Sequence, residues 1–353
     1  MIKLLNSYPC VIILSDTHLG ATGSKFKLLK EFLSDLLAKI ENEPKFSENF
    51  QVIILLGDIF DLVCDSYRDI TNDYKDIFDL LNKISSKNIR IISLLGNHDI
   101  SVSGDWDKTF LKRKRRLISN FKKYGLNLEC LSEENLCQYI FLKDSKNKWF
   151  LYLLDTRNIS DENDSRIIEI PKSINEEKNY NAIFIHGHQL FPAETRGAAP
   201  IWDFCLNSPD FIREIFNYLW NVALKGQKLD TSINFNKILT DYSKEIYEKF
   251  NKKLGLLNRC RLNKFFRKMI KIEQYRESLK NMNIKYRYLF KDTEISHIIF
   301  GHTHQVDYQK IEDILLINTG AWHHVNPSYL EFYSDGTFQL KIRNDNGDWI
   351  NFP

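Results

Sequence analysis

Residues 93–99 read Ser93-Leu94-Leu95-Gly96-Asn97-His98-Asp99. An apolar run, 89–95, breaks at a glycine and then presents an amide, an imidazole and a carboxylate in consecutive positions. A short β-branched run of this kind reads as a buried strand. A glycine at its end lets the backbone turn sharply, so that the side chains that follow come close together. The shape recurs along the chain. The run 10–15 leads into Asp16-Thr17-His18, and 51–56 into Gly57-Asp58-Ile59-Phe60-Asp61. Later, 182–185 leads into His186-Gly187-His188, and 297–300 into Gly301-His302-Thr303-His304.

Between the first three runs lie segments with helical periodicity, 25–40 and 74–86. Strand, helix, strand repeats of this kind predict an α/β core with functional loops at the C-terminal ends of the strands. Further strands are expected at 139–142, 149–154, 314–317, 329–333 and 338–342, with 149–154 and 338–342 as hairpin arms after polar turns. Residues 209–290 lack strand signatures and carry helical spacing such as Phe211, Ile215, Tyr218, Leu219 and Val222. Strands resume afterwards, so the chain divides into a core, 1–205 with 291–353, and a helical insertion, 206–290.

Composition sets the class. The 353 residues are 43% hydrophobic and 27% charged, as in a soluble globular protein. The first residues hold too short an apolar run for a signal segment or a membrane span, which predicts a cytoplasmic protein. The cysteines at 10, 64, 130, 137, 205 and 260 form no CxxC pair and read as reduced, mostly buried thiols. Charge is uneven. Residues 205–290 hold 18 Lys and Arg against 8 Asp and Glu, in a chain whose net charge is +3. A strongly basic segment suits an anionic partner.

The strand-end residues share one chemistry. Carboxylate and imidazole donors suit manganese, iron or zinc, and a set without thiolate argues against a structural zinc site. Seven donors, one of them a carboxylate able to bridge, are what two metal ions about 4 Å apart require. Each motif alone is weak; the five in this order, each after an apolar run, resemble the calcineurin-like metallophosphoesterases. The resemblance covers 1–200 and 291–335.

That resemblance implies a four-layer αββα sandwich with two divalent metals, manganese first with iron and zinc as alternatives, at the strand ends. Asp16 and His18 would hold the first ion with His304, Asp58 would bridge both, and Asn97, His186 and His302 would complete the second. His98 would not bind metal but protonate the leaving oxygen, with Asp61 fixing its orientation. The ions would lower the pKa of a shared water, and the bridging hydroxide would attack phosphorus in line. An imidazole is suited to supply the leaving group's proton.

Among the branches, the protein Ser/Thr phosphatases fit least: Leu62-Val63 follow Asp61 where that branch has Arg-Gly, and Asp99 stands where it has Glu. The DNA-repair nucleases share Ser15-to-Gly20, Gly57-to-Asp61 and Gly96-to-Asp99 but lack a large helical insertion. In layout the chain is most similar to the UDP-2,3-diacylglucosamine pyrophosphohydrolase branch. That branch has an HG turn, a helical insertion, then GHTH and an NxGxW stretch, here His186-Gly187, 206–290, Gly301–His304 and Asn318-Thr319-Gly320-Ala321-Trp322. It differs at His98, where the known enzymes of that pathway carry Arg. The expected substrate is a phosphorylated small molecule or a lipid-linked one, cleaved at a phosphoanhydride or phosphodiester. A metal-dependent nuclease and a non-catalytic interaction module are the alternatives.

Within the insertion, Leu262, Phe265, Phe266 and Met269 fall on one helical face among Lys and Arg residues of 259–271. Such a helix can lie on an anionic membrane surface, cover a lipid-like tail, track nucleic acid, or pack plainly onto the core. His188, Arg157 and Arg196 are candidate substrate contacts. The run Lys112-Arg113-Lys114-Arg115-Arg116 reads as the exposed side of a helix. His297 reads as structural, and one of His323 and His324 is expected to face substrate.

Overall fold

The computed structural model describes residues 8–62, 64–99, 106–155, 166–173, 181–187, 295–304, 306–311, 314–323 and 325–353. The first sheet is built on β1 (Pro9–Leu14), β2 (Val52–Leu56) and β3 (Arg90–Leu94), which run parallel in successive register. Val11 lies beside Val52, and Ile53 beside Ile91. The short β4 (Leu136–Cys137) adds to β3. Helices α1 (Phe26–Asn42), α2 (Pro44–Asn49), α3 (Tyr67–Asp73), α4 (Lys75–Ser85) and α5 (Trp106–Lys123) fall between these strands.

The second sheet holds β5 (Tyr139–Asp144), β6 (Lys148–Leu154), β7 (Ile167–Pro171), β8 (Ala182–Phe184), β9 (His297–Phe300), β10 (Val306–Ile311) and β11 (Ile314–Thr319). Its order is β10-β11-β9-β8-β5-β6-β7. The chain then returns to the first sheet through β12 (Ser328–Tyr333), β13 (Phe338–Arg343) and β14 (Trp349–Asn351), giving the order β14-β13-β12-β1-β2-β3-β4.

Alternating side chains explain the layering. Along β2, Ile53 and Leu55 join the core under the helices, with Leu33 and Leu36 of α1, while Val52, Ile54 and Leu56 face the second sheet. Along β5, Ile140 and Leu142 meet that inter-sheet core, and Tyr139 and Phe141 point to the opposite face. The inter-sheet seam carries aromatic contacts: Trp149 of β6 packs edge-on to Phe332 of β12 at 5.3 Å between ring centroids. The result is a mixed α/β sandwich of two sheets flanked by helices.

Both expected hairpins form, β5 with β6 and β12 with β13. Cys10, Cys64, Cys130 and Cys137 are buried. One expectation needs correction. The basic run 112–116 lies on α5, but Lys114 is buried, and its ammonium bonds the Asp155 carboxylate at 3.0 Å. Five consecutive positive charges on a helix surround more than one face, so one of them points inward. The expected insertion at 206–290, with the basic segment 259–271 and Cys260, and Cys205 before it, lie outside the described residues.

Candidate metal centre

The topology brings five strand ends to one edge of the sandwich. β1, β2 and β3 are parallel in one sheet, and β8 and β9 are parallel in the other. Pairing between the first two loops continues past the strands. The Asp16 N–H donates to the Gly57 carbonyl at 3.0 Å, and the His18 N–H to the Asp58 carbonyl at 3.0 Å. The Gly301 N–H donates to the His186 carbonyl at 2.9 Å, joining the last two loops.

These loops are held in unfavourable backbone conformations. Asp16, His18, Asp58, His302 and His304 all have positive φ, between 45° and 71°. For a residue with a Cβ this region costs of order 1–3 kcal/mol and persists only where the surroundings impose it. Among the described non-glycine residues only Asn88 shares it. The glycines are required by close approach: a Cβ at Gly96 would stand 2.1 Å from Asp58 Oδ1, and one at Gly301 2.2 Å from Asp16 Oδ2.

The side chains converge. Asp58 Oδ2 lies 3.1 Å from His186 Nε2, 3.8 Å from His18 Nε2 and 4.0 Å from His98 Nε2. Its other oxygen accepts the His98 N–H at 2.7 Å. On one side, His18 Nε2 and His304 Nε2 are 3.0 Å apart, and Asp16 Oδ1 is 3.4 Å from the latter. On the other, His186 Nε2 is 3.2 Å from Asn97 Oδ1, and the His302 ring lies 5.2 Å from that of His186. The Asp61 carboxylate serves two imidazoles at once, with Oδ2 3.1 Å from both His18 Nδ1 and His98 Nδ1.

The family model of the calcineurin-like phosphoesterases matches residues 11–212, more than half of the chain. The chain belongs to that family. A relative, the DNA double-strand break repair protein Mre11 of Nanoarchaeum equitans (strain Kin4-M), is 34% identical over 153 residues, which are 42% of this chain and 38% of that protein. The chain thus matches well under half the length of that relative. Solved structures of similar topology include vacuolar protein sorting 29 from Cryptosporidium parvum, at 10% identity over 97% of this chain and 94% of that one, TM-score 0.37. A dimetal phosphatase from Danio rerio matches at 11% identity over 95% and 96% of the two chains, TM-score 0.36. An archaeal phosphodiesterase matches at 11% over 97% and 98%, TM-score 0.30. Likeness at this level carries nothing about activity. Calcineurin-like phosphoesterases are metal-dependent hydrolases of phosphoesters.

The family uses divalent metal ions, and the donors of this phosphoesterase fit them. The set is oxygen and imidazole nitrogen, suited to manganese, iron or zinc. Asp16 Oδ1 is buried, accepts no hydrogen bond from the described residues and faces the two imidazole nitrogens of His18 and His304. Orientation is supplied from behind: His186 Nδ1 meets the Leu56 carbonyl at 3.0 Å, and His18 Nδ1 meets Asp61, so each ring turns its Nε2 inward.

Electrostatics agree with a place for cations. Burial pushes the Asp58 carboxyl up, but His186 and His98 together more than reverse this and hold it well below the usual range. Asp61, also opposed by burial, is held well below it by His98 and His18. Burial disfavours charge on His98 and His186. The carboxylates outweigh it, Asp61 and Asp58 for the first and Asp58 and Asp16 for the second, and raise each to about 9. His302 goes the other way, to about 3, through burial and the charge of His186. Protons on two histidines thus balance carboxylates that metal ions would otherwise neutralise.

The structure therefore gathers Asp16, His18, Asp58, Asp61, Asn97, His98, His186, His302 and His304 at one place. His188, Arg157, Arg196 and His324 lie outside the described residues. One group was not read as a site residue. Asp99, raised to about 7 by burial and by the Asp58 charge, accepts the Phe60 N–H at 2.8 Å and the Gly96 N–H at 2.9 Å, and so clamps two of the loops. Its place beside His98 in the sequence was the available signal. His323 is fully buried against His18 and His304.

Proposed function

We propose that this phosphoesterase cleaves a phosphodiester or phosphoanhydride at a dinuclear centre, with Asp16, His18 and His304 on one ion, Asn97, His186 and His302 on the other, and Asp58 shared. What supports it most is the Asp58 carboxylate, whose Oδ2 is approached from one side by His186 at 3.1 Å and from the other by His18 at 3.8 Å. Bound divalent ions would supply a nucleophilic water at neutral pH and neutralise charge on the phosphoryl oxygens. Manganese is the ion we favour. His98 acts as the acid. Its Nδ1 faces Asp61, which leaves Nε2, on the Asp58 side of the ring, to give its proton to the leaving oxygen.

We further propose that the substrate is nucleotide- or lipid-linked, on the layout shared with the UDP-2,3-diacylglucosamine pyrophosphohydrolase branch. His98 in place of Arg argues for a related substrate and not that one. The basic segment 259–271 would meet an anionic membrane surface from the cytoplasmic side. The 34% identity to an Mre11 protein favours a second reading, a metal-dependent nuclease. A manganese-supplemented panel separates them: a phosphomonoester, bis(p-nitrophenyl) phosphate, a nucleotide-sugar anhydride and single-stranded DNA. Metal-dependent turnover of the bis-ester and the anhydride is expected. Turnover of DNA alone would replace the first reading by the second, and no turnover by metal-loaded protein would remove both.

A further inference from the structure

The turn after β11 carries a histidine that is outside the seven-donor set. His323 is fully buried, its ring centroid 4.8 Å from that of His18 and 5.6 Å from that of His304. One donor nitrogen from each of these three rings lies within 4.8 Å of the others. Two imidazole nitrogens on one ion, at bonds of about 2.0–2.1 Å, stand at most about 4.2 Å apart. A small swing of a side chain therefore brings all three onto one ion.

The placement of His323 is built into the backbone. The Trp322 N–H donates to the Asp16 carbonyl at 3.0 Å, and the Lys25 N–H to the Trp322 carbonyl at 2.7 Å. Ser24 and His323 form an isolated antiparallel bridge. Upstream, the Ser15 hydroxyl donates to the Gly320 carbonyl at 2.9 Å. Gly320 has φ +76°, and a Cβ there would stand 2.1 Å from Ser328 Oγ, so only glycine allows the turn. The loop that carries Asp16 and His18 and the turn that carries His323 are thus tied together at the histidine and just ahead of it.

We propose that His323 is a further donor of the first metal position, joining Asp16, His18 and His304; this rests on the dinuclear reading above. The first position then has three imidazoles against two at the second, and holds its ion more tightly. Imidazole-rich sets of this kind suit zinc and iron as well as manganese.

The test is metal binding. Metal-stripped wild type and His323→Ala are titrated with manganese by calorimetry, and ions are counted by mass spectrometry after reloading and desalting. Wild type is expected to hold two ions, and in the variant one binding step weakens by roughly tenfold or more while the other is kept. Two unchanged steps overturn the role of His323 and leave the dinuclear reading standing; a wild type that does not hold two ions overturns both. Since a buried histidine is being removed, a crystal of manganese-loaded wild type, read by anomalous scattering, gives an answer that needs no variant. A His323 nitrogen within about 2.0–2.3 Å of an ion supports the proposal, and one beyond about 3 Å overturns it.

Discussion

The Asp61 carboxylate oxygen stands 3.1 Å from both His18 Nδ1 and His98 Nδ1. One side chain therefore orients a ligand and an acid together. His98→Ala removes the acid without removing a donor, so metal content should match wild type. Turnover on a substrate with a poor, alkoxide-like leaving group should fall by about 10²–10⁴-fold, the usual range for general acid catalysis. A p-nitrophenolate leaving group needs little protonation and should lose much less. Equal losses on both substrates at full metal content would assign His98 to binding instead. At this scale the sequence was highly legible. Glycine before Asp58, Asn97 and His302 announced close approach, and the Cβ contacts at Gly96 and Gly301 show that these approaches are real.

Among the elements, legibility followed burial. The strands 10–15, 51–56 and 89–95 were plain because both faces of a parallel sheet are covered, and apolar runs result. β7, β10 and β14 were not read. Each mixes exposed and half-buried positions, and Val306-Asp-Tyr-Gln-Lys-Ile carries too few apolar residues to stand out. β4 is two residues long and exists only because β3 offers an edge. His297, at the start of β9, yields a prediction. Burial lowers its pKa from 6.5 to about 4, so it stays neutral in the fold while the unfolded chain takes up a proton below about 6.5. Unfolding then binds protons between those values, and stability falls as pH drops from about 6.5 toward 4. In thermal melts across that window, His297→Gln should show a shallower loss than wild type. Parallel curves would mean that this ring does not titrate on unfolding.

For the whole molecule, the apolar cores and the metal centre are largely separate. Two clusters of buried residues line the faces of the first sheet and another lies on the second, all beneath or beside the donors. Chelation with EDTA should therefore abolish phosphoester hydrolysis while leaving the circular dichroism spectrum of a folded α/β protein. Returning manganese should restore activity and raise Tm, with about 2.7 kcal/mol of stabilisation when free metal is 100 times Kd. Loss of secondary structure on chelation would show that the strained strand-end loops depend on the ions. By itself the sequence determined the donor chemistry and its order along the chain, because strand periodicity and glycine turns are local and each residue states its own. Which donors face each other was decided by tertiary structure. Parallel register, the return of β12 beside β1 and the bond from Trp322 to Asp16 set the distances, and those arise from contacts between residues far apart in the chain. For the same reason His323, read from the sequence only as one of two candidate substrate-facing histidines, comes to lie fully buried against His18 and His304.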